Sequence, residues 1–431
     1  MYWKGPVLTK SNSTPAPSVS VILPTFNRAH LIAASIMSLF EQTYPISEIL
    51  VVDDGSTDNT EAVVAGFADR VRYVRQENGG KNAAINTGLK GVEGDLVWIM
   101  DDDDLAPRDA LERLVAPFIA DPSTAITYGA LQKFREDDVT GEIYYEMTHP
   151  YPPEDGRSFF VRIMEDCYIT GQPCLLVRRS CYNEIFPLPE KNVISEDYAV
   201  LLLLARRWSA TRVDGVTLLQ RQHDGPRGPA EIRYAAESRN ARWSQADTEL
   251  LRNLLPRVSL DELAGRPGAE LRDARERRQA LFQKATIAAR KKLWPMALEA
   301  VREGVKEAPK APLSDRDQLI LGRMLGCRYG LDELLEAPEI LDDLRDAFSG
   351  LSEQHKAVGD IAALLPYLAK VALSEGDIRK AMGFLRLYFR FAGFVRGSQL
   401  VIWKAWRKLS GQEQTTPEEK SYTGGRIGEA H

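Results

Sequence analysis

Between residues 19 and 101, four short apolar runs alternate with stretches of helical periodicity. The runs are "VSVILP" (19–24), "EILVVDD" (48–54), "RVRYVR" (70–75) and "DLVWIMD" (95–101). They are short and rich in β-branched residues, which suits strands; the third is the most polar. Residues 28–41, "STDNTEAVVAGF" and "GKNAAINTGLKG" (80–91) read as the helices between them. This alternation predicts an α/β unit, a largely parallel sheet with helices on both faces. Ligands of such sheets bind beyond the carboxyl ends of the strands. The clusters "PTFNR", "DDGSTDN", "ENGGKN" and "DDDD" all follow strands, so four polar loops are expected to converge on one rim.

Downstream the pattern changes. "AITYGALQKF" and "EIYYEM" read as antiparallel strands, "TGQPCLLVRRS" ends as one, and "TRVDGVTLLQRQHDG" (211–225) contains another. "ISEDYAVLLLLARRW" reads as an apolar helix with Ser195 at its N-cap. Residues 231–256 look helical, "GRPG" (265–268) reads as a linker, and 269–409 is almost wholly helical. "LWPMALEAVREGVKEAP" and "ALSEGDIRKAMGFLRLYFR" resemble tetratricopeptide helix pairs, though no clean period of about 34 residues runs through the region. The expected organisation is a poorly ordered 1–17, a sheet domain over 18–230, a helical connector over 231–268, a helical accessory domain over 269–410 and a disordered tail over 411–431.

With 431 residues, 44% hydrophobic, the chain can build more than one core, and its net charge of −6 gives no basic field for nucleic acid. The N-terminus lacks the apolar core of a signal peptide, and no run of about 20 apolar residues stands out. A cytoplasmic protein is expected. Of the four cysteines, Cys167, Cys174 and Cys181 lack zinc-site spacing, so reduced thiols are expected.

The chemistry concentrates in "VWIMDDDDLAP" (97–107). Four consecutive like charges are costly unless water or a cation neutralises them. On an extended segment Asp101 and Asp103 share a face and suit a hard divalent cation. Asp104 can instead cap the helix near Pro107. From this stretch alone a metal site and a solvated cap are equally good readings. Asp53 and Asp54 follow a buried strand, where carboxylates can accept hydrogen bonds from a nucleobase or ribose, or simply shape the turn. "ENGGKNAAINTG" sets Gly80 and Lys81 at a helix start, which suits a diphosphate. It is not a Walker A loop, and no GxGxxG supports a nicotinamide cofactor.

In "VSVILPTFNR" (19–28), "VVDDGSTDNT" (51–60), "ENGGKNAAINTG" (77–88), "WIMDDDD" (98–104) and "SED" (195–197), the chain resembles glycosyltransferase family 2. The resemblance covers about 18–225 and implies the GT-A fold, Rossmann-like and mostly parallel. It implies that Pro24, Thr25, Asn27 and Arg28 border the nucleotide. Asp53 and Asp54 would hold base and ribose, and Gly80, Lys81 and Asn86 would belong to the same nucleotide-sugar site. Asp101–Asp103 resembles the family's DxD pair, with Asp103 the direct metal ligand, Asp101 beside it and Asp102 on the ribose or sugar. Asp197 matches the catalytic base. His223 matches a histidine that coordinates the metal or contacts the diphosphate. Gln172 and Glu196 fall where acceptor contacts occur. Many relatives carry arginine at the position of Ile85; here Lys81 can supply that charge.

The implied function is inverting transfer of a sugar from a nucleotide donor, expected to be UDP-linked, to a hydroxyl of a glycan or glycolipid, with Mn2+ or Mg2+. Polysaccharide biosynthesis is the implied setting. A retaining transferase of the same fold and a non-catalytic interaction protein are the alternatives. A nucleotidyltransferase is disfavoured because its glycine-rich start is missing. Finally, "IRKAMGFLRLYFRFAGFVRGSQLVIWKAWRKL" (378–409) mixes cations and aromatics without an acid. It reads either as a packed helix with a charged rim or as a contact with an anionic membrane at the inner face of the cell membrane.

Overall fold

The computed structural model describes residues 16–137, 140–146, 148, 151–190, 195–222 and 239–393. The expectations for 1–15 and 394–431, and for His223, lie outside the described residues. Two compact units are present, and they do not follow chain order. The first holds residues 1–146, 172–188 and 210–222; the second holds 147–171, 189–209 and 223–431. Residues 147–171 and 189–209, which the sequence groups with the sheet domain, are therefore part of the helical unit.

The first unit is built on an eight-stranded sheet: β1 (Val19–Thr25), β2 (Glu48–Asp53), β3 (Arg72–Arg75), β4 (Leu96–Ile99), β5 (Ile126–Glu136), β6 (Ile143–Tyr145), β7 (Leu175–Arg178) and β8 (Ala210–Arg221). The spatial order is β3-β2-β1-β4-β7-β5-β6, with β8 against β5. β1, β2, β3 and β4 pair in parallel, as do β5 and β8, while β7 and β6 run antiparallel to their neighbours. β1 is buried at every position, as a strand covered on both faces must be. β3 is mostly exposed and lies at the sheet edge, which explains its polar sequence.

Helices α1 (Ile32–Phe40), α2 (Thr60–Ala65), α3 (Lys81–Gly91) and α4 (Ala110–Ala120) connect or cover these strands. α3 lies so close to β1 that a Cβ on Gly88 would stand 2.5 Å from Ile22 Cγ2. The apolar "VWI" of β4 is fully buried, and Trp98 Nε1 donates to the Pro173 carbonyl at 2.9 Å. That anchoring fixes where the aspartates after it begin.

The second unit is helical. Its elements are α5 (Phe159–Glu165), α7 (Glu196–Ala205), α8 (Arg239–Leu254), α9 (Leu260–Leu263), α10 (Ala274–Arg290), α11 (Trp294–Glu307), α12 (Asp315–Gly322), α13 (Asp332–Glu336), α14 (Glu339–Ala347), α15 (Gln354–Ala362), α16 (Leu364–Ser374) and α17 (Ile378–Ala392). α6 (Arg179–Ile185) belongs to the first unit. Within the helical unit α10 packs on α11, and α16 on α17. Arg278 of α10 is wholly buried: it pairs with Asp317 at 2.9 Å and donates to the carbonyls of Ala308, Ala311 and Pro312.

Two expectations about membranes meet the structure here. Contrary to the sequence reading, one segment, Gln354–Ser374, is long and apolar enough to cross a bilayer by length and composition. It is the α15–α16 pair, and its Ile361, Leu365, Ala369 and Ala372 are buried in the unit's core. In α17, Phe384, Tyr388 and Phe391 are buried as well, so the aromatic half of this amphipathic helix faces the core.

Candidate functional site

The first loop, after β1, and the second, after β2, are locked together by polar bonds. Asn27, at φ 55°, accepts at Oδ1 from the Thr57 N–H (2.7 Å), and its own N–H donates to Ser56 Oγ (2.9 Å). The Arg28 N–H donates to Thr60 Oγ1 (3.1 Å), and the Ala29 N–H to Asp58 Oδ2 (3.1 Å). Pro24 and Thr25 remain in the strand, paired with Val52 and Asp53, and are buried.

Asp53 and Asp54 do not open onto the rim as expected. Asp53 is fully buried; it accepts from the Ser56 N–H (2.7 Å) and the Tyr73 hydroxyl (2.5 Å). Asp54 accepts from Gln76 Nε2 (2.7 Å) and from the N–H groups of Gly79 (2.9 Å) and Gly80 (2.8 Å). Burial pushes its carboxyl above the ordinary value in spite of these donors. Asp54 therefore holds the glycine loop in place. Gly80 takes φ 91°, a conformation that favours glycine, and sits at the N-cap of α3.

Asn86 needs a similar correction. Its amide exchanges two bonds with the Leu188 backbone, Nδ2 to the carbonyl at 3.0 Å and the Leu188 N–H to Oδ1 at 2.8 Å. At 4% exposure it ties α3 to the segment after α6 and has no open face for a donor. Gln172 is buried at 1% exposure and offers no surface to an acceptor.

The aspartate run is the electrostatic centre. Lys81 Nζ lies 2.8 Å from Asp101 Oδ1. Arg28 Nε lies 3.7 Å from Asp102 Oδ1 and 4.0 Å from Asp103 Oδ2. Burial, then the charge of Asp103, pushes the Asp102 carboxyl up to about 7, against the pull of Thr25 and Arg28. Asp104 does not cap a helix. α4 starts from Asp109 without a side-chain cap, and Asp104 is buried, its Oδ1 accepting from the Arg221 N–H at 2.9 Å. Arg221 Nε also donates to the Asp103 carbonyl (3.1 Å), so β8 holds the run from behind.

Carboxylate oxygens of Asp101, Asp103 and Asp104 lie within 4.8 Å of one another. An all-oxygen, anionic donor set of this size fits a hard divalent cation such as Mn2+ or Mg2+. Asp102 is not in that set, but strand alternation does not explain this, because the chain turns at Asp102 and Asp103 and the neighbours Asp103 and Asp104 both join. Asp104 joins it, which the sequence did not anticipate. Asp58, Gln76 and Arg221 were also missed. Each acts on partners distant in sequence, and only the polar composition of "DDGSTDN" hinted at the first.

Glu196 and Asp197 form the first turn of α7 in the helical unit, both half-buried. Ser195 is at the N-cap position, but its side chain does not cap the helix.

Residues 20–186 match the profile of Glycosyl transferase family 2. An Escherichia coli protein named UDP-Glc:alpha-D-GlcNAc-diphosphoundecaprenol beta-1,3-glucosyltransferase WfgD is 34% identical over 191 residues, 44% of this chain and 70% of that one. An uncharacterized glycosyltransferase of Rickettsia felis is 28% identical over 237 residues, 54% of this chain. The chain spans 39% of that relative's length and less of several others. Among solved structures, S. aureus TarS is matched at 17% identity and a TM-score of 0.46, over 79% of this chain and 55% of TarS. The motif order, the mixed sheet that carries it and the extent of the E. coli match lead to one assignment: the chain belongs to glycosyltransferase family 2.

Proposed function

We propose that the protein transfers a sugar from a nucleotide-diphosphate donor to a hydroxyl of a glycan or lipid-linked acceptor, with inversion and with a divalent cation. The observation that carries the reading is the gathering of Asp101, Asp103 and Asp104 beside Arg28 and Lys81. When bound there, Mn2+ or Mg2+ would supply Lewis-acid neutralisation of the diphosphate. Arg28 and Lys81 add cationic groups suited to phosphate oxygens. Family membership supports a nucleotide-sugar donor, and the name of the E. coli relative supports a UDP-linked one.

In the proposed step the acceptor oxygen attacks the anomeric carbon and loses its proton to the Asp197 carboxylate. The bond from that carbon to the diphosphate breaks, and the nucleoside diphosphate leaves with the electron pair. Asp197 lies in the first turn of α7 and is half-buried, and a carboxylate is a suitable acceptor for that proton. One displacement inverts the anomeric centre.

A panel of nucleotide sugars assayed with Mn2+, with and without chelator, tests the reading. One UDP-sugar is expected to be turned over only when metal is present. Asp103→Ala should lose about 100-fold or more in turnover while keeping its melting temperature. Unchanged turnover in that variant would remove the metal assignment. NMR of the product anomer separates inversion from retention.

Contact with an anionic bilayer belongs to the same proposal. It is supported by Ile378 and Met382, 67% and 47% exposed, beside the exposed Arg379 and Arg386. Flotation with phosphatidylglycerol vesicles should weaken in Ile378→Glu with Met382→Glu; equal flotation ends the idea.

A further inference from the structure

α7 starts in an unusual way. Ser195, the residue before it, has φ 66°, a left-handed conformation uncommon for a residue with a Cβ. Such a turn persists only where its surroundings over-determine it. Here the determining contact comes from 52 residues downstream. Ser195 Oγ donates to Asp247 Oδ1 at 2.8 Å. Asp247, on α8, is 3% exposed, and its Oδ2 accepts from the Tyr329 hydroxyl (2.9 Å) and from Lys291 Nζ (3.2 Å).

The other side of the turn is held by the same group of residues. Lys291 Nζ stands 4.7 Å from the centre of the Tyr198 ring. The Tyr198 hydroxyl donates to the carbonyls of Ile163 (3.0 Å) and Met164 (3.1 Å) on α5. Ser195 and Tyr198 flank Glu196 and Asp197, so the turn is gripped at both ends. A buried ion pair is a poor way to gain stability, because apolar residues of similar volume often do as well. It is a good way to fix one direction, since a carboxylate with three donors tolerates little displacement.

We propose that Asp247 is a positioning residue for Asp197. Through Ser195 it fixes the left-handed turn from which α7 departs, and Lys291 and Tyr329 hold Asp247 in place. The helical C-terminal region thereby serves the reaction itself: it supplies the buried partners that aim the base. The inference rests on Asp197 being that base.

The test compares full-length Asp247→Ala, Ser195→Gly and Asp197→Asn with the wild type. Glycine keeps the left-handed conformation accessible and removes the hydroxyl contact. Turnover is read as UDP release from UDP-glucose or UDP-N-acetylglucosamine with Mn2+, whichever the wild type uses faster. Amide hydrogen exchange over 196–200 is measured in parallel and needs no donor. Asp247→Ala and Ser195→Gly are expected to lose about tenfold or more in kcat, with the donor KM within about twofold. Exchange over 196–200 should quicken by about tenfold or more. Wild-type kcat and wild-type protection in Ser195→Gly would overturn the inference, whether or not Asp247→Ala folds. If Asp197→Asn is inactive beside that result, the base assignment survives and only the positioning role is lost. If Asp197→Asn is fully active, the base assignment fails and takes this inference with it.

Discussion

Four carboxylates in a row share three kinds of partner: Lys81 on Asp101, Arg28 near Asp102 and Asp103, and the Arg221 amide on Asp104. Asp102 retains an unfavourable balance, with a carboxyl raised from 3.8 to about 7 by burial and then by Asp103. A carboxyl raised on folding holds its proton more tightly in the native state. The stability this brings is complete below about pH 4 and is lost as pH climbs toward about 7. Asp102→Asn should remove that loss. Thermal melts of the metal-free protein are expected to coincide at pH 4. At pH 8 the variant should be more stable by about 1 kcal/mol, or about 2–4 °C, allowing for solvent screening. A wild type whose stability does not fall between those pH values would contradict the assignment. The sequence made the charge cluster legible, because it is local, but not the turn at Asp102 and Asp103 that replaces the expected alternation. It hid the fate of Asp104 and Asn86, because their partners, Arg221 and Leu188, lie 117 and 102 residues away.

Among the elements, the strands and helices from β1 to β4 were readable because each run has its own period and its own punctuation, whereas α6 was not read. The loops between them were readable only as polar. Their interlocking came with the fold: the Asp54 carboxylate organises the turn that begins α3, and Asn27 and Asp58 stitch the loops after β1 and β2. Asp54→Ala should free Gln76, Gly79 and Gly80 together. The expected cost is about 2–3 kcal/mol by denaturant titration, with faster amide exchange at Gly79 and Gly80 than elsewhere in α3. Uniform exchange across the helix would mean that the loop is held by something else. What the sequence could not convey is that α5 and α7 leave the sheet unit, since nothing in their own residues names the partners that bury them.

For the whole molecule, the helical region cannot be treated as an appendage. Gln283 Nε2 donates to Glu165 (2.9 Å), Arg290 pairs with Asp166 (3.1 Å) and Arg323 with Asp155 (2.7 Å). Ending the chain at residue 268 strips all three partners. Losing a hydrogen bond to a charged group costs about 1.5–3 kcal/mol, against a total stability of about 5–15. The shortened chain is expected to lose soluble yield and all donor turnover; an active, monomeric 1–268 would refute this. The bond between Asp104 and the Arg221 amide adds a matter of timing. Translation delivers Asp104 fully 117 residues before the amide of β8 from which it accepts. Until β8 emerges from the ribosome and settles beside β5, the Asp104 carboxylate lacks its backbone donor. A protein assembled this way completes its aspartate cluster only near the end of its sheet, so an unfinished chain lacks the finished geometry of that cluster.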